Sequence, residues 1–211
     1  QNNDEMKISR DRYLTNLLNI FGDDSLVEKD DTFKDLSLFS LTYQNFDNEK
    51  EFLEEVSSIV SNSLDVVKND NLISRDVSDE ISSNIIKIAF YFDNIDFRHT
   101  IARHYFSLLR KCLEEGMVVI ILCSPWTKGR MSNELINLGC RKLQLSNTIT
   151  TSVNQILDEK LDVLIYTEIF SSAVPYCLAH NRLANIQMVL PGNEMTTGIS
   201  TIDYFISGEI I

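Results

Sequence analysis

Two short stretches hold the residue types that do chemistry. The first, YFDNIDFRHTIARHYF at residues 91–106, sets Asp93, Asp96, Arg98 and His99 between an apolar run and an amphipathic one. A carboxylate and an imidazole so placed could carry protons or orient a hydroxyl, because histidine titrates near neutrality. The helix start just downstream would also favour an anion such as phosphate. The same residues admit a plainer role, with Asp96 capping the helix and His99 solvated in its first turn. The second stretch is PGNEMTTG, residues 191–198. Gly192 permits close backbone approach, and Thr196, Thr197 and Gly198 offer hydroxyls and amides in a loop. Alternatively the threonines cap the next element.

Three further features are weaker. In SPWTKGR, residues 124–130, Trp126 with Lys128 and Arg130 could grip a sugar or phosphate, or could form a surface loop around a packing indole. Glu168 and His180 are single polar residues at the ends of elements. His104 lies five residues beyond His99, off the i, i+4 face that a helical metal pair needs, so no metal site is expected. Neither G-x-G-x-x-G nor a P-loop occurs, so no phosphate-loop motif places a nucleotide.

These residues must be positioned by elements that the hydrophobic pattern predicts. Tyr13, Leu14, Leu17, Leu18 and Phe21 recur at helical spacing, and Gly22-Asp23-Asp24 stops the segment. Phe52, Val56, Ile59, Val60, Leu64 and Val67 mark a second amphipathic helix, with a polar stretch over 28–50 between the two. From residue 85 the pattern changes. Apolar runs at Ile85–Phe92, Met117–Cys123, Leu143–Leu145, Leu161–Thr167, Ile186–Leu190 and Tyr204–Ile206 alternate with helical stretches at Thr100–Glu115, Arg130–Leu138, 150–160 and from the Pro175 region to about Ala184. Strands apolar throughout, alternating with helices, are parallel strands covered on both faces. The expected fold is α/β, a Rossmann-like, doubly wound, mostly parallel sheet over 85–211, preceded by an acidic helical segment over 1–80. Ligands in such sheets bind beyond the carboxyl ends of the strands. The loops at Asp93–His99, Ser124–Gly129, Glu168–Pro175 and Pro191–Ser200 are therefore the ones that matter.

Composition excludes some functions. Residues 1–80 carry 19 acidic and 8 basic side chains, so nearly all of the net charge of −12 belongs there. Nucleic acid is not an expected partner, because phosphate binding needs clustered cations. The four cysteines are isolated, which points to a reduced, cytoplasmic protein. The longest uninterrupted apolar run, Met117–Cys123, falls far short of the roughly 20 residues of a membrane span. The polar N-terminal stretch has no signal-peptide layout.

Taken together, the run LDVLIYTEIF and the later VPYCLAHNRLANIQMVLPGNEMTTGISTIDYFIS resemble the family 41 glycosyltransferases, the group of O-GlcNAc transferases and related bacterial cytoplasmic protein glycosyltransferases. The likeness lies in Arg182-Leu183-Ala184-Asn185-Ile186-Gln187, then Thr196-Thr197-Gly198, then Thr201-Ile202-Asp203-Tyr204-Phe205, with IDFRHTIARHYF upstream similar to the family's segment after its first strand. It covers about residues 85–211. The resemblance implies the N-terminal half of a GT-B fold and inverting transfer of GlcNAc or glucose from a UDP-sugar to a protein side chain, with no required metal or other cofactor. It assigns Asp96 and His99 to the active site and Gly192, Thr196 and Thr197 to the donor side. It also implies an acceptor protein or peptide as partner, and a UDP-sugar held mainly by a second half. This chain departs from the family pattern at two places: Arg98 and His99 are adjacent, and Asn193-Glu194 replaces a common His-Pro. A non-catalytic glycosyltransferase-like module, pairing with a protein partner through residues 1–80, stays open beside the enzyme.

Overall fold

The computed structural model describes residues 3–21, 49–64, 85–96, 98–131, 133–191 and 196–206. Two helices come first, α1 (Asn3–Phe21) and α2 (Glu49–Ser63). After them come β1 (Lys87–Tyr91), α3 (Thr100–Glu114), β2 (Val118–Cys123), α4 (Asn133–Asn137), β3 (Arg141–Gln144), α5 (Ile149–Asp158), β4 (Leu161–Tyr166), α6 (Ala173–Ala179), β5 (Ala184–Val189) and β6 (Tyr204–Phe205). The strands form one sheet in the order β3-β2-β1-β4-β5-β6, and every pairing is parallel. This is the doubly wound Rossmann-like fold that the alternating pattern predicts.

The central strands read as apolar throughout because both of their faces are buried. Side chains alternate across a strand. Ile88, Phe90 and Phe92 join one apolar cluster with Val119, Ile121, Cys123 and Ile165, covered by Ala102, Tyr105, Leu109 and Cys112 of α3 and by Leu135 of α4. Ala89 and Tyr91 face the other way with Ile120, Leu122, Leu164 and Tyr166, under α5 and α6. Leu17 of α1 and Phe52, Leu53, Val56 and Val60 of α2 belong to that second cluster, so the helix pair shares its core with the sheet. Tyr13 meets Phe52 at 6.3 Å between ring centroids, and the Arg10 guanidinium lies 4.4 Å from the centroid of the same ring. The hydrophobic spacing of α2 therefore covers one layer of an α/β domain.

Two boundaries differ from the pattern. The helix leading to β5 stops at Ala179 instead of running to about Ala184. The Asn181 side chain donates to the Cys177 carbonyl at 3.2 Å, and its backbone N–H donates to Leu178 at 3.0 Å, so a side chain competes for the carbonyls that a longer helix would use. The second helix ends at Ser63, and Val67, like most of the polar stretch 28–50, lies outside the described residues. Among the described residues no helix is long and apolar enough to cross a membrane.

The helix pair meets the C-terminal loop at a tight point. Gly198 has φ +69°, and a Cβ there would lie 2.4 Å from the carbonyl carbon and oxygen of Leu53 in α2. Both the backbone conformation and the approach of α2 demand glycine. Gly198→Ala should lower unfolding stability by at least about 2 kcal/mol in urea titration, because left-handed strain and a clash with main chain add. A loss below about 0.5 kcal/mol would mean that α2 does not pack on this loop.

Candidate functional site

The strand order reverses between β1 and β4, where chain leaves the sheet in opposite directions and a crevice opens beyond the carboxyl ends. The register pairs Tyr91 with Tyr166, which brings the two succeeding segments side by side. The Thr167 hydroxyl donates to the Tyr91 carbonyl at 2.7 Å and ties the strand ends together. Just beyond lies a cavity of about 430 Å³, walled by Asp93 and Asn94 after β1, Ser124, Trp126 and Lys128 after β2, Asn147 and Ile149 before and in α5, Glu168, Ser171, Ser172, Ala173 and Val174 after β4, and His99. Its volume falls within the range of small-molecule sites.

Asp93 is the hub of this crevice. Its carboxylate accepts hydrogen bonds from the Tyr91 hydroxyl and the Ser172 hydroxyl, each at 3.0 Å, and from the Ser171 hydroxyl. Three donors from two strand ends thus fix one carboxylate. The loop bearing Trp126 is fastened to the same segment. The Lys128 N–H donates to the Asp93 carbonyl and the Ile95 N–H donates to the Lys128 carbonyl, both at 2.8 Å, while the Thr127 hydroxyl donates to the Phe92 carbonyl at 3.1 Å. Gly129, at φ +83°, lies so close to this segment that a Cβ would sit 2.5 Å from the backbone nitrogen of Asp96.

Glu168 and His99 face this cavity in an unusual state. One carboxyl oxygen of Glu168 (Oε1) and the imidazole Nδ1 of His99 are buried without a protein partner. Burial, with the charge of Asp93 adding to it, pushes the Glu168 carboxyl up to about 7. Desolvation penalises the ionised form, and a neighbouring anion does the same. A carboxyl titrating near neutrality can both give and take a proton under ordinary conditions. Nearby Tyr105 of α3 is also raised, by burial first and by Glu168 second.

The structure separates the residues singled out in the sequence. His99 sits at the N-cap of α3, makes no side-chain cap bond, and lines the cavity. Asp96 does not line it. The Asp96 carboxylate is half-buried and turned onto the exposed Arg98, with Nε at 3.0 Å and Nη2 at 2.6 Å, and these bonds hold its carboxyl down at about 2. Its link to His99 is through main chain, the His99 N–H donating to the Asp96 carbonyl at 2.7 Å. Thr196 and Thr197 lie elsewhere, in a second cavity of about 770 Å³ between the C-terminal loop and Ser57, Ser58 and Ser61 of α2. Their hydroxyls accept from the N–H groups of Gly198 at 3.4 Å and Ile199 at 3.2 Å. The two cavities share no lining residue. Gly192, with Asn193 and Glu194, lies outside the described residues. Among the described residues no group of three or more His, Cys, Asp and Glu could hold a metal ion. His180 is buried among apolar side chains, edge-on to Tyr176 with ring centroids 5.0 Å apart, and burial pushes it down to about 4.

The residues of RLANIQ and TIDYF hold the scaffold. Arg182 donates to both carboxylate oxygens of Asp203, at 2.6 and 3.0 Å. Asp203 also accepts from the Gln187 N–H at 2.7 Å. The Gln187 side chain then accepts from the Leu183 N–H at 2.9 Å and donates to the Thr201 carbonyl at 3.0 Å. Desolvation alone would raise the Asp203 carboxyl, but these bonds and the charge of Arg182 outweigh it and hold it below the usual range. The cluster locks β5 to β6.

This geometry gives the likeness to known structures its place. The chain is similar in fold to a point mutant of the O-GlcNAc transferase of Thermobaculum terrenum, with a TM-score of 0.55 and 11% sequence identity, over 95% of this chain and 37% of that one. The chain thus spans little more than a third of that structure's length, and the likeness is one of a glycosyltransferase-like GT-B fold, of which the sheet described above matches one half. No protein-family model and no curated protein sequence matches the chain.

Two measurements test this geometry. Asp203→Ala strands Arg182, whose side chain is only 23% exposed, together with the Gln187 N–H, so it should cost about 1–2 kcal/mol in chemical denaturation, more than Asp96→Ala, whose partner Arg98 is 80% exposed. Equal losses would contradict the clamp. For Glu168 the folded carboxyl titrates near 7 and the unfolded one near 4.5. The folded state keeps its proton across that window, so its contribution is present below pH 4.5 and is lost as pH rises through 7. Glu168→Gln should therefore gain stability over the parent on going from pH 4.5 to 8, by about 1–2 kcal/mol after allowance for partial exposure. His180 acts in the opposite sense over pH 4 to 6.5 but cancels in the difference between the two proteins. A difference independent of pH would place Glu168 in water.

Proposed function

We propose that this chain is the acceptor-side part of an inverting protein glycosyltransferase, which moves GlcNAc or glucose from a UDP-sugar to a protein side chain. The observation that carries the reading is the cavity at the reversal of strand order, which gathers His99, Asp93 and Glu168 on a fold similar to half of a GT-B enzyme. In a single displacement the acceptor atom attacks the anomeric carbon, the bond to UDP breaks, and the acceptor proton must go to a base. His99 takes that part: it lines the cavity and its Nδ1 has no protein partner. Asp96 positions it from behind, its carbonyl holding the His99 N–H while its carboxylate anchors Arg98. The UDP-sugar is held mainly by a second half, with Gly192, Thr196 and Thr197 contributing from the loop after β5. No metal is required. Four free, buried cysteines suit a reducing compartment, the cytoplasm.

A second reading has its own support. Thr196 and Thr197 spend their hydroxyls on turns within the loop and line a different cavity from His99. A glycosyltransferase-like partner module that binds protein and leaves transfer to another subunit accommodates this arrangement. UDP binding separates the two. Protein expressed from the complete reading frame should bind UDP and release it from a UDP-sugar. In that protein His99→Ala should lower kcat by about 10²- to 10⁴-fold with a smaller change in KM. Asp96→Asn should lower it less. Turnover unaffected by His99→Ala removes His99 from the chemistry, and absence of both UDP binding and turnover favours the partner module.

A further inference from the structure

The chain is acidic as a whole, but its charge is unevenly placed. Residues 98–130 carry six basic and two acidic side chains, against a net of −12 for the chain. At the far end of α3 these charges cancel, Arg110 pairing with Glu114 at 3.6 Å and Lys111 with Glu115 at 2.7 Å, each one turn apart. The basic excess is left at the other end, beside the crevice. Arg98 there is answered by Asp96. Lys128, Arg130 and Arg103 are exposed and form no ion pair with a described residue. Arg103 shares the face of α3 that carries His99, one turn along, and its N–H donates to the His99 carbonyl at 2.9 Å. Asp93, within the crevice, spends its carboxylate on three hydroxyls.

These cations stand on a fastened ledge. The loop 124–130 is tied to the segment after β1 by the main chain of Lys128, which bonds to Asp93 and Ile95, and by the Thr127 hydroxyl on Phe92. Asn94 and Lys128 form a parallel bridge, and Gly129 packs on Asp96 too closely to admit a Cβ. Only main-chain groups of Lys128 are used, so its ammonium is left to the surface. On the same ledge Trp126 lines the crevice and keeps 42% of its surface exposed, although so large a side chain is usually covered. A ledge already held in place loses little backbone freedom when a partner binds.

Charge and form select among anionic partners. A small anion such as free phosphate gains little from separate cations in open water. Nucleic acid needs a long track of cations, and the acidic segment of residues 1–80 repels its phosphates. An acidic stretch of polypeptide needs only a few carboxylates to meet Lys128, Arg130 and Arg103, and apolar side chains between them cover the indole. Tryptophan and arginine are the residues that most often anchor protein interfaces. The acidity of residues 1–80 also turns such a partner away from that side, which fixes where it docks.

We propose that the ledge carrying Trp126, Lys128 and Arg130, with Arg103 beside it, is a docking surface for an acidic stretch of a partner polypeptide. The surface goes beyond the transfer chemistry and does not depend on it. An acceptor chain held here lies across the mouth of the crevice, and a partner module uses the same contact without transfer.

Trp126 is the sole tryptophan of the chain, so its emission reports contact with the ledge. A short glutamate-rich peptide should shift that emission saturably, with Kd of about 10 to 500 µM in low salt. The affinity should fall at least about tenfold when salt is raised to 0.5 M, since exposed charges are screened. Lysine-rich and glutamine-rich counterparts should not bind. Lys128→Gln with Arg130→Gln should weaken binding at least about tenfold, whereas Arg110→Gln with Lys111→Gln, the same loss of charge at the far end of α3, should leave it within about twofold. All four side chains are exposed, so both double variants should fold as the parent does. Equal weakening by the two would make the attraction one of overall charge and overturn the proposal. Absence of any saturable shift up to about 5 mM peptide, displacement by inorganic phosphate at constant ionic strength, or tighter binding of a single-stranded oligonucleotide also overturns it. Binding of the acidic peptide by a complete protein that neither binds UDP nor turns over a UDP-sugar would sink the enzyme reading and leave the docking surface standing.

Discussion

The parallel pairing of β1 with β4 is the interaction on which the rest of the molecule depends. Ile88 to Tyr91 run beside Val163 to Tyr166, and all later geometry derives from that register. Because the strands are parallel, both carboxyl ends emerge at one edge. Because the order reverses there, the crossovers diverge and no helix fills the space. A slip of one residue would turn Tyr91 and Tyr166 to the opposite face and break two apolar clusters at once. It would also withdraw the Tyr91 hydroxyl from Asp93 and the Thr167 hydroxyl from the Tyr91 carbonyl. Core packing and the placement of the crevice are thus one constraint.

That constraint explains why the crevice groups differ so much in state. Asp93 sits where two strand ends converge and collects hydroxyl donors from both. Glu168 comes after the second strand, finds no such donors for Oε1, and lies close enough to Asp93 to feel its charge. Two carboxylates about equally placed in sequence, each two residues beyond the end of its strand, thereby acquire different chemistry. Divergent environments for paired acids are how a site obtains an ionised acceptor and a proton carrier from the same residue type.

Much of the fold was legible in the sequence, since runs such as IIKIAFYF and MVVIILC are apolar at nearly every position and only a strand buried on both faces requires that. The helix spacing of 13–21 and 52–64 was legible for the same reason. That these helices complete the sheet's core was not, because amphipathicity shows that a face is buried without naming the layer beneath it. The candidate site was half legible. His99 could be placed by its type and by its position after an apolar strand. Glu168 looks like a lone polar residue at an element end, because its proximity to Asp93 depends on which strands are neighbours. Asp96 looks chemically poised by residue type, yet Arg98, two positions on, claims its carboxylate. Pairing at such short range overrides any role inferred from type.

The residues of RLANIQ and TIDYF show why a scaffold can remain recognisable when its chemistry is in question. Arg182 and Asp203 satisfy each other, Asp203 takes the backbone N–H of Gln187, and the Gln187 side chain satisfies backbone groups of Leu183 and Thr201, so the three residues tie β5 to the segment leading into β6. Replacing Asp203 strands Arg182 and the Gln187 N–H, and replacing Gln187 strands the Leu183 N–H. The loop between them is under a different demand. Gly198 must give way to the backbone of α2, and Thr196 and Thr197 turn the chain toward that contact. This requirement is steric and is met whether or not the loop touches a nucleotide. The hydroxyls of TTG are therefore explained by the fold, while the unpaired Oε1 of Glu168 and Nδ1 of His99 are left by folding around one cavity. The hydroxyls of Tyr13, Tyr166 and Tyr176 and the Nε2 of His180 are also buried without a partner, but they line neither cavity, so an unpaired group marks a site only where it also faces open space, at the reversal between β1 and β4.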